Sequence, residues 1–246
     1  MTQNANGHGP HEDETDSRNV IRMPTLAERD RTRREKDAME RRALAAAEPM
    51  INLPPVTKWM LGALIVPFLF TQILLPEDTA GWVVEHFGFI PANIHDGIWT
   101  PYTLLSPFTH MLLHGGWMHM LVNGFMLAAF GSGIERWLGG RRLVILFIAS
   151  GLFGVALHYL LNMDSASPMI GASGGLSGLF AAAIVMLGRG QREMGGKYGM
   201  LPFILLWIGV SIGFGMLPGI GGGQIAWAAH VGGFLGGFLV LKAMRV

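Results

Sequence analysis

The sequence predicts an all-α membrane protein, a bundle of six transmembrane helices with an interfacial loop between the first and second. Three observations carry this. Half of the 246 residues are hydrophobic and only 14% are charged, with a mean hydropathy of +0.39, which is too apolar for a soluble domain of this length. Apolar segments recur at about 57–75, 117–134, 142–162, 171–188, 199–217 and 224–243, each near the ~20 residues that cross a bilayer core. Lys and Arg fall only in alternate connections between those segments.

Residues 1–55 form a polar cytosolic tail, distinct from a membrane domain over 56–246. The tail holds nine of the 18 Lys and Arg residues. Its first twenty residues have a disordered composition, and His8 and His11 read as tail residues. Thr25-Leu-Ala-Glu28 after Pro24 has the form of a capping box opening a solvated, charged helix through about Ala47. No apolar core opens the chain, so no signal peptide is expected. The first span follows. Then comes a 40-residue stretch without Lys or Arg, rich in aromatics (Trp82, Phe87, Phe89, Trp99, Tyr102) and interrupted by Pro76, Pro91, Pro101 and Pro107. It is too broken to span, and its aromatics suit the headgroup region. Five further spans complete the chain.

With the amino terminus inside, the inner connections hold Lys58, Arg136, Arg141, Arg142, Arg189, Arg192, Lys197, Lys242 and Arg245, and the outer ones hold no Lys or Arg. The positive-inside rule then places both termini in the cytosol, in a multi-pass protein expected in a bacterial inner membrane. The net charge of +1 gives no sign of nucleic-acid binding. The absence of cysteine excludes disulfides, thiolate metal sites and cysteine nucleophiles.

The acidic residues beyond the tail, Glu77, Asp78, Glu85, Asp96, Glu135, Asp164 and Glu193, lie outside the six apolar cores. This removes an aspartyl protease with paired acids in its spans and weakens a carboxylate-based transporter. No lysine lies at mid-membrane, so the buried bases are histidines. His110, His114 and His119 cluster ahead of Asn123. A metal site is the competing reading, because His110 and His114 are four apart, but no glutamate or other acid accompanies them. His110 and His114 are expected to hydrogen-bond the loop to the second span. His119 and Asn123 stack one turn apart and can aim donors at one spot, as an oxyanion site requires. His158 in the third span is expected to form an interhelical hydrogen bond.

At ~1.5 Å rise per residue, Ser173 stands ~24 Å above Arg189, His230 ~22 Å above Arg245 and His119 ~25 Å above Arg136. A serine, a histidine and the candidate oxyanion donors thus reach nearly one level, inside a ~30 Å hydrocarbon core. Gly171-Ala-Ser173-Gly174 and Gly175-Leu-Ser177-Gly178 both fit Gly-x-Ser-Gly. Ser177 falls ~4 Å below the level of His230, one turn inside the helix, where backbone N–H groups are already committed. Ser173 is therefore the expected nucleophile. Small residues on one face of the fourth span (Ser173, Ser177, Ala181, beside Gly174 and Gly178) and of the sixth (His230, Gly233, Gly237) permit close approach.

These motifs, His114-Gly-Gly-Trp-Met-His119-Met-Leu-Val-Asn123, Glu135-Arg136, Gly171-Ala-Ser173-Gly174 and Ala229-His230-Val-Gly-Gly233 with Gly237, resemble those of rhomboid intramembrane serine proteases over residues 57–243. The resemblance implies a Ser173–His230 catalytic dyad, an oxyanion site using His119 and Asn123, the six-helix rhomboid-like form, and cleavage of transmembrane protein substrates near their outer ends without metal or cofactor. Two departures stand out. Some members carry Trp-Arg where this chain has Leu105-Ser106, and some carry a Tyr packed on the catalytic histidine where this chain has Ser177. The rival readings are a catalytically silent relative that binds membrane proteins, opposed by retention of both Ser173 and His230, and a small-solute transporter, opposed by the lack of an inverted repeat.

Overall fold

The computed structural model describes residues 25–47, 52–190, 205, 207, 209 and 227–246. It divides into two units, Met1–Asn52 and Leu53–Val246.

In the first unit, helix α1 (Leu26–Ala47) begins at a reciprocal capping box. The Thr25 N–H and hydroxyl donate to Glu28 Oε2 at 2.7 and 2.9 Å, and the Glu28 N–H donates to Thr25 Oγ1 at 3.3 Å. These bonds satisfy N–H groups that the first turn leaves without an intrahelical partner. Donation from Thr25 also holds the Glu28 carboxyl below its ordinary pKa. Arg31 Nε pairs with Glu35 at 2.9 Å one turn on, and residues 25–40 are exposed throughout.

The second unit is helical, and apart from one antiparallel bridge between Phe89 and Met169 it has no strand among its described residues. Among the described residues, three helical stretches are long and apolar enough to cross a membrane, namely Pro55–Leu74, Trp117–Leu138 and Gly140–Leu161. Shorter apolar helices cover Ser173–Gly188 and Trp227–Ala243. Most of the span expected at 199–217 lies outside the described residues. Large apolar side chains such as Val66, Leu74, Leu121, Phe125, Leu160 and Leu239 are exposed. An apolar surface of that extent fits lipid rather than water, and the protein is an integral membrane protein.

The first span is α2 (Pro55–Leu69), continued by a π turn at Phe70–Leu74. The connection read above as an irregular loop is largely helical: α3 (Glu77–Phe87), α4 (Pro91–His95), α5 (Pro101–Thr109) and a 3₁₀ turn at His110–Leu112. Three of the four prolines that suggested interruption start these helices, and Pro107 lies inside α5. Pro76 is the residue before α3, and Pro91 and Pro101 open α4 and α5. A missing N–H costs nothing at a first helical position, and the fixed φ of proline suits it.

The second span runs through α6 (Trp117–Met126), a π turn (Leu127–Gly131) and α7 (Ser132–Leu138). It reaches past the apolar segment and includes Glu135, which is almost fully buried. The reason is a distant partner. Glu135 accepts the Val56 N–H at 3.0 Å and both the N–H and the hydroxyl of Thr57 at 2.7 Å, so one carboxylate caps the start of α2.

Helices α8 (Gly140–Leu161), α9 (Ser173–Gly190) and α10 (Trp227–Ala243) pack most extensively on one another. Several of their closest contacts involve backbone on both sides. A Cβ on Gly233 would collide with the Gly174 carbonyl oxygen, and one on Gly237 would lie 2.7 Å from Gly178 Cα. A Cβ on Gly154 of α8 would lie 2.7 Å from the Ala229 oxygen. This is the small-residue packing that substitutes for hydrophobic burial between helices in lipid.

Candidate active site

Helix α9 starts at Ser173, and its approach is set by Gly171. That glycine has φ +119°, a region that disfavours residues with a Cβ, and its N–H donates to the His110 carbonyl at 2.8 Å. The α5 segment is thereby tied by backbone to the turn that presents Ser173. His230 lies in the first turn of α10, and the α9–α10 glycine contact brings its Nε2 to 2.7 Å from Ser173 Oγ. The other ring nitrogen, Nδ1, is buried with no hydrogen-bond partner among the described residues. With Nε2 accepting the Ser173 hydroxyl proton, Nδ1 carries the ring N–H.

Ser177 is fully buried one turn along α9, and its hydroxyl donates back to the Ser173 carbonyl at 2.8 Å. That is the i−4 bond available to a serine inside a helix.

His119 faces the same space as Ser173. A Cβ built on Gly171 would lie 2.6 Å from His119 Nε2 and 3.8 Å from Ser173 Oγ. The Gly115 N–H donates to His119 Nδ1 at 3.5 Å, which favours the tautomer carrying its proton on Nε2, the nitrogen turned toward the serine. Asn123 is buried, and its Nδ2 donates to the His119 carbonyl at 2.7 Å. One amide hydrogen is thus committed to its own helix and the second is left over.

The remaining histidines differ from expectation. His110 Nδ1 meets the Ser106 carbonyl of its own helix at 3.0 Å, rather than a group on the second span. His114 is buried with neither nitrogen hydrogen-bonded among the described residues. It packs edge-on against His119, with ring centroids 5.1 Å apart. Among the described residues, the His114 side chain meets the second span through this ring contact. For His158 the partner is Asn162 Nδ2 at 3.4 Å, on the end of its own helix rather than a neighbour. No group of three or more metal-ligating side chains gathers among the described residues. Sequence reasoning missed the part played by Gly171: its place in Gly-x-Ser-Gly was visible, but its positive φ and its contact with His119 depend on the tertiary fold.

Chemically, a hydroxyl hydrogen-bonded to an imidazole, beside an N–H-bearing ring and a free helix N-terminus, can support acyl transfer.

A family model described as Rhomboid domain matches residues 101–245, more than half of the chain. RHOMBOID-like protein 7 of Arabidopsis thaliana is 34% identical over 132 residues, covering 54% of this chain and 40% of its own length. The putative rhomboid protease YdcA of Bacillus subtilis is 28% identical over 194 residues, 78% of this chain and 90% of that protein. Rhomboid protease GluP of the same organism is 26% identical over 205 residues, 83% of this chain and 38% of that protein. The chain spans about two fifths of the length of the plant relatives it matches. By that domain match, carried across the elements that hold Ser173 and His230, the chain belongs to the rhomboid family.

Proposed function

We propose that this protein is an intramembrane serine endopeptidase that cuts transmembrane protein substrates near the outer face of the bilayer. The observation that carries the reading is the 2.7 Å contact between Ser173 Oγ and His230 Nε2 at the opening of a helix. In this mechanism His230 takes the Ser173 proton as Oγ attacks the scissile carbonyl, then returns it to the leaving amine. Water hydrolyses the acyl-enzyme by the same proton transfers in reverse order. Negative charge on the carbonyl oxygen is met by His119 Nε2–H, the spare Asn123 amide hydrogen and the uncommitted N–H groups of the first turn of α9. Substrate helices must unwind locally, because an intact helix keeps its carbonyls in backbone hydrogen bonds. The names of the two bacterial relatives support the protease reading.

The test is labelling of the purified full chain with a serine-directed fluorophosphonate, mapped by mass spectrometry. Adduct is expected on Ser173, with most labelling kept in Ser177→Ala. Asn123→Ala is expected to slow it, up to the order of 10²–10³-fold lost with one oxyanion donor. Adduct on Ser177, or none on any serine, would overturn the assignment.

The orientation proposed is both termini in the cytosol of a bacterial cell, with α3 and α4 outside. Support comes from the one-sided distribution of Lys and Arg and from exposed Trp82 and Trp99 on the connection between the first two spans. Tags at both termini should resist external protease in spheroplasts, while one inserted between Ala80 and Asp96 is digested. Termini on opposite sides would mean an odd number of spans.

A further inference from the structure

His230 is held by one hydrogen bond, from Ser173, and its Nδ1 is buried without a partner among the described residues. A ring fixed at a single nitrogen can swing about that bond, and an efficient base is oriented by a third group. No carboxylate or carbonyl fills that place among the described residues. Ser177, one turn from the nucleophile, turns its hydroxyl to the Ser173 carbonyl instead.

An aromatic ring does lie against the imidazole. Trp207 sits with its ring centroid 6.4 Å from that of His230 and the two planes 35° apart. Phe180, on the same helix as Ser173, backs the indole at 4.8 Å and 37°. Phe180 also meets Phe234, one turn beyond His230 on α10, at 6.0 Å. The indole therefore touches both dyad helices, through Phe180 on one and His230 on the other. Trp207 Nε1 is buried without a hydrogen-bond partner among the described residues, and the contact the indole makes with the imidazole is that of one ring with another.

We infer that Trp207 is the positioning residue of the dyad, a planar wall that holds the His230 imidazole in line with Ser173 in place of a third hydrogen-bonding group. This rests on the serine-protease reading above. A ring displaced by a fraction of an ångström loses alignment without losing the fold, so the role is separable from stability.

The experiment compares wild type, Trp207→Phe, Trp207→Leu and Trp207→Met as full chains in detergent. Four quantities are read: the fluorophosphonate labelling rate at Ser173, kcat and KM on a quenched transmembrane peptide, and the thermal midpoint. Trp207→Leu and Trp207→Met are expected to slow labelling and kcat on the order of 10- to 100-fold, as misplacement of a reacting group does, with KM and the midpoint nearly unchanged. Trp207→Phe keeps a planar ring and should retain most of both. If the leucine variant does not fold, the methionine variant, which is adaptable in shape but has no plane, decides against the phenylalanine one. Flat-ring and ringless variants that label equally, or ringless variants that label as fast as wild type, overturn the inference and leave the dyad standing. Absence of labelling in the wild type removes both.

Discussion

Ser173→Ala is expected to abolish cleavage of a transmembrane peptide in proteoliposomes, with a loss on the order of 10⁶-fold, the scale on which serine nucleophiles acting with a histidine base are lost. His230→Ala should fall to the same floor. The two side chains share one proton across 2.7 Å and act as a unit, so the double variant should be no worse than either single one. That non-additivity separates a dyad from two independent contributors. What survives is the contribution of binding and of the oxyanion donors near Gly171. Residual cleavage within about a hundredfold of wild type in either single variant would mean that another group performs the attack or the proton transfer.

The second large effect is expected where no reacting atom is present. In Gly233→Val the new Cβ lands on the Gly174 carbonyl, one residue after Ser173. The obstacle is backbone, which cannot rotate aside as a side chain can, so α9 and α10 must part. Overpacking of this kind costs about 1–3 kcal/mol or more. Parting by even about 1 Å should lower kcat by on the order of 10². Gly62→Ala is the control, because its Cβ would meet nothing within 4 Å. That change should leave cleavage untouched and hold or raise the thermal midpoint, since alanine favours helix over glycine by about 1 kcal/mol. Wild-type turnover by Gly233→Val would show that the observed helix contact does not govern the dyad.

Local chemistry made much of this fold readable. The Thr25–Glu28 capping box and the end of its helix at Ala47 were legible because both depend on neighbours in sequence. The one-turn difference between Ser173 and Ser177 was legible from helix geometry, and the structure places Ser173 at the start of α9 and Ser177 one turn inside it. Glu135 was not, because a charge ends an apolar segment unless something satisfies it, and the satisfying groups on Val56 and Thr57 lie 79 and 78 residues away. The prolines at 91 and 101 were misread for a different reason. The same residue ends one helix and begins the next, and only the flanking geometry tells which. His158 was assigned a partner across helices, whereas Asn162 on the same helix supplies it. The fifth expected span, 199–217, lies mostly outside the described residues.

The glycine contact between α9 and α10 has one more consequence. Where two helices meet through side chains, every substitution at the seam resets their spacing. Here the spacing is that of peptide units in contact, a dimension common to all polypeptides. The separation of Ser173 and His230 is thus gauged by a standard that does not depend on the rest of the sequence. Residues facing outward from those helices, such as Leu235 and Leu239, are free to change with the lipid around them while Ser173 and His230 keep their distance.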